Sequence, residues 1–150
     1  MSHPFFTVFD LETNGFKGSS VLSISALKVF YEPENKTFGK IEEYHRYYYR
    51  NKNEKANPVA IEINGLSDKK IRDLRGQAGY PERFLDDIGA FYDFSKDSVF
   101  FSAHNIGFDR SFIPFLEKTQ KYFCTMRENK EIKNGKSPRL METADYYGIE

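Results

Sequence analysis

Tryptophan is absent from this 150-residue chain, cysteine occurs once and histidine three times. A single cysteine, Cys124, excludes an internal disulfide framework and fits a reducing compartment. No apolar run approaches the length needed to cross a bilayer, so no membrane partner is expected. The N-terminus lacks the basic-then-apolar pattern of a secretory signal, and the chain reads as cytoplasmic. Charge of either sign is not in excess: 22 Lys and Arg balance 22 Asp and Glu. A broad basic surface for nucleic acid is therefore not expected, and any such contact should be local. Repeats, low-complexity tracts and domain linkers are also absent.

What is present suffices for one domain with a real core. Hydrophobic residues make up 39% of the chain, which argues against disorder. Phe and Tyr supply an aromatic content of 17%. Most of these rings should be core or strand-surface residues, with a few left to stack on bases.

The most informative segment is Asp10-Leu11-Glu12-Thr13-Asn14-Gly15, directly after the apolar run Phe5–Phe9. Such a run reads as a buried strand. Side chains at i and i+2 share a face of a strand, so Asp10 and Glu12 project together from its C-terminal end. Two like charges that close repel unless a cation lies between them, and hard oxygen ligands suit Mg²⁺ or Mn²⁺. Taken alone, the segment also reads as a strand followed by a polar turn, since Thr-Asn-Gly is good turn chemistry.

Further along, Val21–Tyr31 and Ile41–Tyr49 read as two more strands, joined by a turn over residues 32–36. The short connections predict an antiparallel meander. Asn51–Pro58 reads as a polar loop. Ser67 is placed to cap a helix through Leu74. Pro81 fits the first turn of a longer helix marked by Phe84, Leu85, Ile88, Phe91 and Tyr92. Val99–Ala103 reads as a strand. Phe108, Phe112, Ile113 and Leu116 mark a helix that Pro114 should kink. Tyr122–Met126 is a last strand, and Leu140–Tyr147 a last helix stopped by Gly148. The expected fold is α/β, with helices flanking a mixed five-stranded sheet.

Asp109 then matters. It falls in the first turn of the helix after the Val99–Ala103 strand, where a carboxylate also suits the helix dipole. A right-handed crossover between parallel strands would bring Asp109 over the same sheet edge as Asp10 and Glu12. Three carboxylates at one edge are costly without metal.

Phe9-Asp10-Leu11-Glu12-Thr13-Asn14-Gly15 resembles the first motif of the DnaQ-like (DEDD) 3′–5′ exonucleases, which include proofreading subunits of bacterial DNA polymerase III. Ala103-His104-Asn105 with Phe108-Asp109 resembles the second. Ile63-Asn64-Gly65-Leu66-Ser67 resembles the segment between them, with Asn64 where the family usually has His. Cys124-Thr125 and the Leu140–Ile149 helix also have counterparts, so the resemblance runs nearly end to end. It implies a ribonuclease H-like domain that hydrolyses nucleic acid from a single-stranded 3′ end, DNA or RNA, and releases nucleoside 5′-monophosphates. It also implies two Mg²⁺ or Mn²⁺ ions held by Asp10, Glu12 and Asp109 as catalytic ligands. Leu11, Thr13, Asn14, Asn64, Leu66, His104, Asn105 and Phe108 would line the substrate site. A DNA polymerase partner and roles in replication, repair or proofreading belong to the same implication.

The family's third motif, a His followed by an Asp, has no counterpart before Glu150. None of His3, His45 and His104 stands in that context. The expectation is a single domain over 1–150 that is incomplete at its C-terminus, with those two groups beyond it. Loss of a general base costs roughly 10²–10⁴ in rate, so these residues alone are expected to be a poor enzyme. The competing reading is a catalytically inactive module that binds a nucleic-acid end or a polymerase.

Overall fold

The computed structural model describes residues 4–116 and 121–149; His3 lies outside them. Three long strands open the chain: β1 (Phe5–Thr13), β2 (Val21–Glu32) and β3 (Thr37–Tyr47). They pair antiparallel, with Phe9 opposite Ala26 and Ser25 opposite His45. Two helices follow, α1 (Pro58–Asn64) and α2 (Asp68–Arg75). After a short 3₁₀ turn come α3 (Ile88–Ser95) and the short strand β4 (Phe101–Ala103). Then come α4 (Ile106–Asp109), β5 (Tyr122–Cys124), α5 (Thr125–Glu128) and α6 (Leu140–Tyr146). The sheet runs β3-β2-β1-β4-β5, with β4 parallel to both β1 and β5. This is the mixed five-stranded α/β sheet expected from the sequence, with the meander first.

One face of β1 contributes Phe9 and Leu11 to the main core, against Phe91, Phe101 and Ile113. Phe9 and Phe91 meet at 6.0 Å between ring centroids, and Phe9 and Phe101 at 6.4 Å in an edge-on pair. Burying aromatic area of this kind dominates the energetics of a small core. A smaller cluster of Leu22, Leu66 and Ile71 fastens α2 to the end of the meander.

Several elements differ from the expectation. The 51–58 loop is shorter than read, because α1 begins at Pro58. Its signals are local: Asn57 caps the Val59 and Ala60 amides, Pro58 opens the first turn, and Gly65 closes it at φ 72°. The helix expected around Phe108–Leu116 is instead the single turn α4 and two 3₁₀ turns. Ile113 stands extended at φ −119°, ψ 101°, as the residue before a proline is sterically required to do. The last strand stops at Cys124, and Met126 belongs to α5.

A candidate active site at the sheet edge

Parallel pairing sets Val8 beside Ser102, so two residues further on Asp10 stands beside His104 at the C-terminal edge. That edge, where parallel strands end, is where open α/β sheets place ligands. The chain leaves β4 through Asn105, held at φ 61°, a conformation that Asn tolerates better than most residues. This sharp turn starts α4 at once and points Asp109 back toward β1. Asp109 is only 4% exposed, and its Oδ1 accepts from the Leu11 N–H at 3.2 Å. The amide between the two β1 carboxylates thus holds the third.

The electrostatics follow from that packing. Burial, and then the charge of Asp10, push Asp109 up to about 7, against the pull of the Leu11 amide. Burial also raises Asp10, although it lies at the open mouth of the cleft, while the nearby His104 ring pulls it down. Glu12 is raised by burial and by Asp10. The three predicted carboxylates therefore form one coupled group, and each makes its neighbour harder to ionise.

Donor chemistry and geometry have to be separated when a metal is considered. The donors are hard oxygens whose mutual repulsion a divalent cation would relieve, which fits Mg²⁺ or Mn²⁺. Among the described residues, however, no group of three or more His, Cys, Asp or Glu side chains is gathered closely enough to hold an ion. The donor set fits in kind, and its members would have to draw together around the ion.

Two clefts are lined by these carboxylates, one by Asp10 and the other by Glu12. The larger, about 510 Å³, runs over Val8, Asp10, Ser25, His45 and His104. The smaller, about 270 Å³, is lined by Glu12, Thr13, Phe16, Val59, Ile63 and Phe108, among others. Phe16 is 88% exposed and Ile63 80% exposed, so this cleft has an apolar rim. Sequence reasoning missed Phe16, Val59 and Ile63. A bare Phe right after the Asn14-Gly15 turn, and an i,i+4 apolar pair on a capped helix, were the signals available.

The other predicted residues divide by what their side chains touch. Leu11 and Phe108 line the smaller cleft, with the Phe108 ring against Phe112 at 5.0 Å. Thr13 reaches it too, while its hydroxyl donates to the Gly15 carbonyl at 2.7 Å. Asn105 is exposed, lines neither cleft, and its side chain makes no capping bond. The rest turn inward. Asn14 is 5% exposed. Its Nδ2 donates to Glu54 Oε2 at 2.7 Å and to the Lys55 carbonyl at 2.9 Å, and its Oδ1 accepts from the Asn57 amide at 3.0 Å. Asn64 lines the cleft but is spent in the same way, on the Thr13 carbonyl at 3.0 Å and the Leu66 amide at 2.9 Å. Leu66 is buried in the α2 cluster and does not line either cleft.

His104 is clamped at both ring nitrogens, by Thr125 Oγ1 at 2.9 Å and by the Pro138 carbonyl at 2.9 Å. A carbonyl only accepts, so Nε2 carries a proton, and Thr125 occupies Nδ1. The ring ties β4 to the approach to α6 and leaves no lone pair for a substrate. Asn64 and His104 line the clefts with their polar atoms engaged within the protein, whereas Asn14 and Leu66 lie behind them as support.

No protein-family model matches the chain, and no curated protein matches it. Solved structures do. An apo exonuclease I superposes with a TM-score of 0.74 at 15% identity, over 99% of this chain and 38% of its own. E. coli exonuclease I in complex with a dT13 oligonucleotide gives 0.72 at 16% identity, over 99% of this chain and 36% of its own. An ExoI/SSB-Ct complex gives 0.72 at 16%, over 99% of this chain and 37% of its own. The chain has the fold of one part of these proteins and spans under two-fifths of their length.

Proposed function

We propose that this chain carries the active-site half of a metal-dependent 3′–5′ exonuclease, which trims nucleic acid from a single-stranded 3′ end to nucleoside 5′-monophosphates. The observation that carries the reading is Asp109: a buried carboxylate held by the Leu11 amide at the parallel-strand edge, its ionisation opposed by burial and by the charges of Asp10 and Glu12. A protein rarely tolerates such a group unless a cation or a reaction uses it. The shared fold with exonuclease I, in one case bound to a dT13 oligonucleotide, favours single-stranded DNA over RNA as the substrate.

Asp10, Glu12 and Asp109 would hold Mg²⁺ or Mn²⁺. When bound, such ions neutralise the scissile phosphate and lower the pKa of an attacking water. The chain's own residues do the positioning. The Leu11 N–H fixes the Asp109 carboxylate. Asn14 and Asn64 lock the loop and α1 that form the wall of the smaller cleft, and His104 braces the opposite wall. The apolar rim of Phe16, Val59, Ile63 and Phe108 suits a terminal base, because every base has a π-face to stack. Both nitrogens of His104 are engaged, while His45 lines the same cleft, two strands from Asp10 across Ser25. The third motif of the resembled family, which carries its His and fourth Asp, has no counterpart within residues 1–150, so these residues alone should cleave slowly.

The test uses a 5′-labelled single strand with Mn²⁺. The 150-residue chain is compared with a version that includes any downstream His and Asp of the parent protein. Laddering from the 3′ end that appears with the longer chain and is lost in Asp10→Ala is the expected result. The second reading, a binding module without catalysis, draws on the ungathered carboxylates. Binding of the strand without cleavage by either chain would favour it.

A further inference from the structure

A third cleft, of about 380 Å³, opens beside the loop that Asn14 pins. Arg50, Lys52, Arg72 and Arg83 line it, with Glu54 and Asp68. In a chain whose charges balance at 22 against 22, four cations in one cleft are a local concentration. Both carboxylates are already engaged. Asp68 Oδ2 pairs with Arg50 Nη2 at 2.6 Å. Glu54 Oε2 accepts from Asn14 Nδ2 at 2.7 Å, the Ser20 amide at 3.1 Å and the Ser20 hydroxyl at 2.6 Å.

The remaining cations are poorly matched. Arg83 Nε donates to the Arg50 carbonyl at 3.3 Å, which holds the side chain against the wall. Lys52 and Arg72 are exposed. Among the described residues, none of Lys52, Arg72 and Arg83 has a carboxylate within ion-pair distance. Tyr49 adds an aromatic surface. Cations with an interleaved aromatic are what a sequence-tolerant single-strand groove requires.

Position selects the ligand. One loop walls both small clefts: Asn57 lines the Phe16 cleft, and residues 51–54 line the basic one. The four residue steps from Asn53 to Asn57 span at most about 14 Å. A lone anion fills one cleft only, whereas a polyanion with a charge on every unit can sit in both. We infer that the Lys52–Arg72–Arg83 cleft is a backbone subsite, holding phosphates of the single strand a few nucleotides 5′ of the end in the Phe16 cleft. The inference rests on the exonuclease reading.

The test measures binding in EDTA, without cleavage, by fluorescence anisotropy over a range of NaCl concentrations. The probes are 5′-fluorescein-labelled thymidine oligonucleotides, a dinucleotide and a dodecanucleotide. Lys52→Gln/Arg72→Gln removes two unpaired, exposed cations and should fold normally, checked by its urea midpoint. Lys69→Gln/Lys70→Gln removes the same charge from α2 outside the cleft. For the dodecanucleotide, the cleft variant should lose about 5–10-fold in affinity at low salt, and its slope of log K on log salt should flatten by about 1.4, at about 0.7 per phosphate contact. Dinucleotide binding should not change, and the Lys69/Lys70 variant should match wild type on both. Wild-type affinity and slope in the cleft variant overturn the subsite while leaving the exonuclease reading intact. An equal loss in the Lys69/Lys70 variant also overturns it, since diffuse charge then explains the binding. A wild-type protein that binds neither oligonucleotide overturns both.

Discussion

Asp109 is where a single side chain shapes the behaviour of the whole protein. Its carboxyl titrates near 3.8 when unperturbed and at about 7 when folded. The folded state therefore binds the proton more tightly than the unfolded state. The contribution of this carboxyl to stability is full below about pH 4 and is lost as pH rises through 7. The loss is on the order of a few kcal/mol, shared with Asp10 because the two titrate together. Urea midpoints in EDTA should therefore fall between pH 5 and pH 8, and Asp109→Asn should flatten that dependence. A wild-type midpoint that climbs across this range would contradict the assignment. Asn14 is the second decisive residue. Asn14→Ala removes three hydrogen bonds and leaves Glu54 short of a donor, with an expected cost of about 2–3 kcal/mol. Amide exchange should quicken across residues 51–57 while β2 stays protected.

At the scale of elements, α1 depends on its two ends more than on its seven residues. Gly65 takes φ 72° with no neighbour crowding it, so Gly65→Ala has room but pays for the left-handed backbone. That cost is about 1–2 kcal/mol. It should appear as a lower thermal midpoint and a loosened wall at Asn64, and Gly65→Asn should recover part of it. The α3–sheet contact is of another kind. Phe91 is fully buried among the rings of Phe9, Tyr44 and Phe94. Phe91→Ala should cost about 3–5 kcal/mol, read from urea denaturation. A cost under about 1 kcal/mol would mean that the core there closes over the gap.

For the molecule as a whole, the coupled carboxylates predict that a divalent cation stabilises the fold. At pH 8 the three charges oppose one another, and an ion among them removes that opposition. Mn²⁺ at about a hundred times its Kd should add about 2.7 kcal/mol, seen as a rise in Tm. Asp10→Ala should abolish the rise, and a rise of the same size in that variant would place the ion elsewhere.

Much of this molecule could be read along the chain. Phe5–Phe9 followed by Asp10 and Glu12 announced β1 and its charged end, because strand alternation is a local rule. The meander, the Ser67 cap and the Gly148 stop are local in the same sense. So was α1, whose Asn57 and Pro58 were read as the end of a loop and whose Gly65 stop was in plain sight beyond it. What only the tertiary structure decided is the direction in which polar side chains spend their hydrogen bonds. Asn14 reaches Lys55 and Asn57, Asn64 reaches Thr13, and His104 reaches Thr125 and Pro138. Each partner lies 21 to 51 residues away in the chain. Periodicity carries no information over such separations, and an amide that binds substrate has the same sequence as one that binds backbone. The clefts are undetermined for the same reason. Phe16 and Ile63, like Lys52 and Arg72, come to one cleft only after the sheet has brought the ends of β1 and β3 to the same edge, with the start of β2 between them.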